Sequence, residues 1–391
     1  MPNTIAVAGS LAQKPRQGGH TWQFLNYLLG FRRLGWRTLF LDRLEPDMCV
    51  DEAGRRCAVE ESVNFEYFMM IMQCFGLEYF LDYNGGERCW GITRGELALR
   101  LEESSFLLNV MGFLTDEELL NAVPRKVFLD TDPGFGQMWR DLGQADLFNG
   151  HDDFVTIAEN IGHPDCMIPT CGLDWTTWRQ PIVLQQWPYQ RETLGEWFTS
   201  IGSWRGPYAP IEHGGRTYGL RAHEFRKFVS LPCITKAQFQ VALDIHSAET
   251  KDIALVSDSG WSLADPADVA CDPWIYRKYI QRSRAEFMAT KGIYVDTHSG
   301  WFSERSICYL ASGRPVIAQD TGLGEIYPVG EGLLTFSTLD QAAACVEEVL
   351  SNYSRHSRTA RELAEEFFDS DKVLLQLLEK LEIAAPMTFG R

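Results

Sequence analysis

The sequence predicts an α/β protein made of two doubly wound domains that face each other across a cleft. Three observations carry this. The chain has 391 residues, more than twice an ordinary domain of about 150. Short apolar runs of strand length alternate with amphipathic helical stretches in both halves, the pattern of a parallel sheet covered on two faces. Residues 4–42 spell strand, glycine loop, helix and strand, a βαβ unit for which a right-handed crossover is expected.

Taken in order, Thr4–Ser10 (TIAVAGS) is a buried strand that runs into a loop through Gly18, Gly19 and His20. A helix follows, with Trp22, Phe24, Leu25, Leu28, Leu29, Phe31 and Leu34 as its apolar positions and Gly35 as its stop. Thr38–Asp42 is the second strand. Residues 60–80 and 95–122 read as helical, Arg125–Asp130 as a strand and Ala145–Asn149 as another. A Pro- and Trp-containing stretch near 186–195 marks the junction, giving domains 1–190 and 191–383 and a frayed tail at 384–391. In the second half, strands are expected at Trp197–Ile201, Ile253–Val256, Gly292–Val295 and Pro315–Ala318. Helices are expected at 221–230, 273–289, 303–312, 338–352 and 356–381.

Composition excludes several classes of function. With 45% hydrophobic and 23% charged residues the chain is neither disordered nor collagen-like. A formal charge of −17 argues against bulk binding to nucleic acid or to an anionic membrane surface. No apolar run reaches the roughly 18 residues of a membrane span. The ten cysteines show no CxxC pair and no zinc spacing, and no secretory signal is evident, so reduced thiols in the cytoplasm are expected. Cys166 and Cys171, the closest pair, are read as free.

The most informative stretch is 292–324, GIYVDTHSGWFSERSICYLASGRPVIAQDTGLG. A strand, a loop with His298, Ser299, Gly300 and Trp301, and a helix opening at Ser303 form a recipe for holding a diphosphate on backbone N–H groups and a helix N-terminus. A tight turn with a satisfied histidine fits the same residues. His20, at a loop-to-helix junction beside the cleft, suits a general base. Asp130 and Asp132 end a strand of the same half, and Asp132 is preferred as its orienting carboxylate. Asp130-Thr131-Asp132 also spells a DxD metal signature, but the two-domain organisation argues against it, and no metal is expected. His151-Asp152-Asp153 reads as a polar loop. Of the twelve tryptophans, Trp22 and Trp175 are candidate walls for a planar or sugar-like ligand.

HSGWFSERSIC…SGRPV resembles the HCGWNS…E…GxP stretch of nucleotide-sugar-dependent glycosyltransferases of the GT-B fold. GRPVIAQDTG…GEGLLTF and the helices after it are similar to the end of the donor domain in bacterial members. GGHTWQFLNYLLGFRRLGWRTLFLD resembles their opening. Together these cover a quarter to a third of the chain. The resemblance implies two Rossmann-like domains and transfer of a sugar from a nucleotide-diphosphate donor to a small-molecule acceptor, as in natural-product tailoring. The nucleotide sugar would be a co-substrate, with no bound cofactor and no metal. Gly18, Gly19, Ser203, Trp204, Arg205, His298, Ser299, Gly300, Trp301, Ser303, Asp320 and Thr321 would hold the donor, with His20 and Asp132 catalytic. A homodimer is compatible with this reading. Two departures stand out. Cys308 or Ser306 occupies the place of the ribose-binding Glu, for which Glu304 is a candidate substitute, and the spaced Glu pair of many retaining members is absent. Rival readings are an epimerase of the same fold and a non-catalytic sugar-nucleotide binder.

Overall fold

The computed structural model describes residues 3–191 and 195–384, so the expected tail from 385 onwards and part of the expected junction lie outside the described residues. The first sheet contains β1 (Thr4–Ala8), β2 (Arg37–Leu44), β3 (Glu78–Tyr83), β4 (Arg88–Gly91), β5 (Phe106–Val110), β6 (Lys126–Asp130), β7 (Asp153–Thr156) and β8 (Trp175–Thr177). Its order is β4-β3-β2-β1-β5-β6-β7-β8, parallel except for β4 against β3. The second sheet contains β9 (Trp197–Ser203), β12 (Gln238–Asp244), β13 (Ser262–Leu263), β14 (Ala285–Met288), β15 (Val316–Gln319) and β16 (Leu333–Phe336). It is parallel throughout, in the order β13-β12-β9-β14-β15-β16; β10 (Ile211–His213) and β11 (Arg216–Tyr218) form a separate hairpin.

β1 and β5 are buried along their whole length, as parallel strands covered on both faces should be. Strand order reverses between β1 and β5 in one sheet and between β9 and β14 in the other. Ligands of open α/β sheets bind at such points, outside the carboxyl ends of the strands. Here both points open onto the same cleft.

The opening βαβ unit lies where the sequence places it, its helix spanning Gly18–Arg33 and stopping just before Gly35, which has a φ of 87°. Elsewhere the expectations need correction. Ile253–Val256 belongs to the Thr250–Asp258 helix, in which only Val256 is buried; the strand is β12. Gly292–Val295 lies in the Gly292–Asp296 helix, and the strand before it is β14, which had been read as helix. Ala145–Asn149 is loop, with β7 just beyond it, and the region 95–122 contains β5 between two short helices. Short apolar runs do not distinguish a buried strand from a buried helical turn. In β14 the pattern is also broken by Glu286, which is fully buried.

The halves are joined at several places. The Ser370–Lys380 helix, late in the chain, packs on the Gly18–Arg33 helix. Gly30 permits this contact, because a Cβ there would stand 2.5 Å from Leu374 Cδ1. Arg33 binds both oxygens of Asp371, at 2.7 and 2.6 Å. Trp22, expected as a ligand wall, is instead fully buried in the joint, donating from Nε1 to the Pro273 carbonyl at 2.8 Å and packing on Trp187.

Candidate active site

The cleft between the two switch points has a volume of about 1350 Å³. The first half contributes the Lys14–His20 loop, Tyr67, Met70, Met111, Phe113 and Asp132. The second contributes Gly202, Ser203, the 205–208 loop, Arg221, Asp244, Lys291, Tyr294, Trp301 and Ser303–Arg305.

Two arginines set the electrostatics of the second-half wall. Arg305, in the first turn of the Glu304–Ala311 helix, donates from Nε to Glu286 and from Nη1 to the Ile201 carbonyl at 2.8 Å. Its Nη2 has no partner. Arg221 opens the helix after the hairpin and donates from Nη1 to the Ser203 carbonyl at 3.1 Å, leaving its buried Nε without a partner. Burial, and then the neighbouring Arg305 charge, lower its pKa to about 10. Two cations with unused donors on one cavity wall can hold an anion. Glu304 lies beside them, its pKa raised by burial and partly restored by Arg305.

His20 lines the opposite wall. Its Nε2 lies 3.2 Å from both the hydroxyl and the carbonyl oxygen of Ser10. Burial, then the Lys14 charge, lower its pKa from 6.5 to about 3, so the ring is neutral at ordinary pH. Below about pH 6.5 the unfolded chain therefore takes up a proton that folded His20 refuses. This contribution to stability is complete above pH 6.5 and declines as the pH falls towards 3. Between pH 7 and pH 5 the wild type is expected to lose about 1–2 kcal/mol more than His20→Gln, allowing for partial solvent screening. Urea titrations of both proteins at the two pH values measure this. An equal loss in both would show that His20 titrates normally.

The expected His20–Asp132 dyad is not formed. Asp132 binds Lys291 Nζ through both carboxylate oxygens, at 2.8 and 2.6 Å, and accepts a bond from the Tyr294 hydroxyl. Lys291 and Tyr294 follow β14 in the second half, so this cluster spans the cleft. Asp130 is buried, accepts from Gln137 and Thr156, and is raised to about 6 by burial. Its role is to hold the loop, since its Oδ1 accepts the Asp132 N–H at 3.2 Å.

Of the residues expected to hold a donor, Gly18, Gly19, Ser203, Arg205, Trp301 and Ser303 line the cleft, with His20 and Asp132. Arg205 does so with its charge already matched, donating to both oxygens of Glu249 at 2.9 Å. Trp204 is buried beneath the loop and donates to Asp252. His298, Ser299, Gly300, Asp320 and Thr321 do not face the cleft. The amides of 298–301 are engaged internally: His298 on the Val295 carbonyl, Ser299 on Tyr294, Gly300 on Thr321 and Trp301 on the Ser299 hydroxyl. No amide of these four remains to cradle a phosphate. Asp320 caps its own turn through the amides of Gly322 and Leu323, and Thr321 donates to the Trp301 carbonyl. This loop joins the halves, because the Asn160 N–H and Nδ2 donate to the carbonyls of Ser299 and His298, each at 3.1 Å.

The other candidates have structural partners. Trp175 donates to the Thr170 carbonyl away from the cleft, and His151, Asp152 and Asp153 bond to Asn109, Lys126 and Arg125 of the first half. Cys308 is buried, and the Ser306 hydroxyl donates to Met288 Sδ. Cys166 and Cys171 are free thiols. Lys291, Arg221, Arg305, Tyr294 and Lys14 were missed from sequence. For Lys291 the signal was present, since it follows a strand at a switch point, but that strand had been placed one element too late.

This fold, with its shared cleft, is the architecture of GT-B glycosyltransferases. No family model and no curated protein matches the sequence. Among solved structures, HepE of Anabaena in complex with UDP-glucose is similar at a TM-score of 0.58 and 10% identity, over 97% of this chain and 99% of that one. A glycosyltransferase from Rickettsia africae gives 0.56 at 10% identity over 97% of both chains. AviGT4, a glycosyltransferase involved in avilamycin A biosynthesis, gives 0.53 at 11% identity over 97% of both. At such identity the likeness is one of fold.

Proposed function

We propose that this protein is a glycosyltransferase that moves a sugar from a nucleotide-diphosphate donor to a small-molecule acceptor. The observation that carries the reading is the pair of arginines, Arg221 and Arg305, which both line the cleft at the second sheet's switch point and each keep a nitrogen without a hydrogen-bond partner. The diphosphate is held there by fixed cations in a site of low dielectric, where the charge of the departing group is stabilised without rearrangement. Glu304 stands beside it as the acceptor of a ribose hydroxyl. HepE, bound to UDP-glucose, supports a donor of this class.

The acceptor lies against the first half, beside His20. Its hydroxyl oxygen bonds to the anomeric carbon as the bond from that carbon to the diphosphate oxygen breaks. The diphosphate leaves with the electron pair, and the neutral His20 ring has a lone pair for the hydroxyl proton. An epimerase of the same fold would turn over without a second substrate, whereas a transferase requires one.

A thermal-shift screen against UDP, GDP, dTDP, ADP and CDP, with and without EDTA, tests the donor site. The matching diphosphate should stabilise the protein by about 2.7 kcal/mol at a hundredfold excess over its dissociation constant. The shift should survive EDTA and be lost in Arg221→Met. No shift with any of the five would remove the donor assignment.

A further inference from the structure

We infer that Asp132 and the donor's diphosphate compete for Lys291, so that donor binding itself releases Asp132 to the acceptor. The inference rests on the donor site proposed above.

The geometry that suggests it is a charge pair drawn across a cavity that must take in substrate. Asp132 comes from the loop after β6 in the first half; Lys291 comes from the loop after β14 in the second. Both carboxylate oxygens of Asp132 are bound by Lys291, and the Tyr294 hydroxyl adds a further bond. The ammonium lies 5.2, 5.8 and 5.3 Å from the ring centres of Phe135, Tyr208 and Tyr294. Lys291 is thus held in place by its surroundings, and Asp132 is the only carboxylate among the described residues that pairs with it.

Lys291 lines the same cleft as Arg221 and Arg305. A Cβ on Gly206 would stand 4.0 Å from its Cε, so its chain runs along the loop that ends β9. Arg221 binds the Ser203 carbonyl of that same loop. The cleft thus offers a diphosphate three cations, one of which already carries a carboxylate. The diphosphate, the stronger anion, takes the lysine. Asp132 then loses its main partner while remaining on the acceptor side. There it accepts a hydrogen bond from a second hydroxyl of the acceptor, while the attacking hydroxyl gives its proton to His20. When the nucleoside diphosphate is the product, Asp132 competes for Lys291 again and speeds its departure. Donor binds before acceptor in this scheme.

Calorimetric titration with the same five nucleoside diphosphates tests it on wild type, Asp132→Asn, Lys291→Met and the double variant, each first shown to share the wild-type circular-dichroism spectrum. Asp132→Asn removes the competing charge, so the diphosphate should bind about tenfold or more tightly than to wild type. Lys291→Met should weaken binding, and in its background Asp132→Asn should add nothing. Tyr294→Phe, which loosens Asp132 without discharging it, should tighten binding by a smaller factor. In transfer assays Asp132→Asn should lower kcat together with donor KM. A purely structural strut would change the unfolding midpoint and leave diphosphate affinity where it was; that result overturns the exchange alone. If none of the five binds to wild type or to Asp132→Asn, the donor site falls and the exchange falls with it.

Discussion

Arg305→Met is expected to destabilise the protein by about 3–5 kcal/mol, the range for breaking one side of a buried ion pair. Glu286 is fully buried in the middle of the second sheet, and Arg305 is the residue that neutralises it. Removing the guanidinium takes from that carboxylate its ion-pair partner and from the Ile201 carbonyl its Nη1 donor. Replacing both residues, as Glu286→Leu with Arg305→Met, should recover most of the loss, because a matched apolar pair carries no desolvation penalty. Urea unfolding of the two variants measures both effects. A loss below about 1 kcal/mol in the single variant would mean that water or another cation reaches Glu286. The double variant has a second use. It should fold but no longer be stabilised by a nucleoside diphosphate, separating the structural role of Arg305 from the binding role proposed for it.

Gly300→Ala is the second large effect, expected at about 2–4 kcal/mol. Gly300 has a φ of 70°, a conformation that costs an alanine energy before any contact is considered. Its added Cβ would stand 2.7 Å from Ile326 Cδ1 and 2.9 Å from both the backbone nitrogen and Cγ of Asn160. The Ile326 tip can shift, but the Asn160 backbone cannot without opening the joint between the halves. Hydrogen exchange should therefore quicken first at the Asn160 amide, bound to the Ser299 carbonyl, and at the Gly300 amide, bound to Thr321. If exchange quickened only in the second sheet, with the Asn160 amide still protected, the loop would not be the joint described here.

The Gly300 case shows how the sequence was readable and where it misled. Residues 298–303 were correctly read as a glycine loop leading into a helix, because Gly300 and the Ser303 cap are local signals. Their use was not readable, because it depends on Asn160, more than a hundred residues away in sequence, which is buried against them. The opening βαβ unit was legible almost to the residue, since a buried strand, a glycine loop and an amphipathic helix each signal themselves. β14 was not: Glu286 interrupts its apolar run, and only Arg305, nineteen residues on, makes that charge acceptable. The candidate site divides the same way. His20 and the 203–206 loop sit at strand ends that pattern can locate. Arg221 and Arg305 lie in the first turns of short helices, where an arginine ordinarily reads as a solvated side chain. Topology alone turns them inward.

The packing of the Ser370–Lys380 helix on the Gly18–Arg33 helix has a consequence for how the protein is made. Arg33 and Asp371 are 338 residues apart in sequence. At ribosomal speeds of roughly 5–20 residues per second, the first helix waits some 17–70 seconds for its partner. During that interval the groove around Gly30 that receives Leu374 has nothing in it, and the first sheet stands with one helix face bare. Nascent chains should be most exposed to chaperones, and to one another, in that window. A mutation confined to the Ser370–Lys380 helix would then act first on the fate of the first half of the chain.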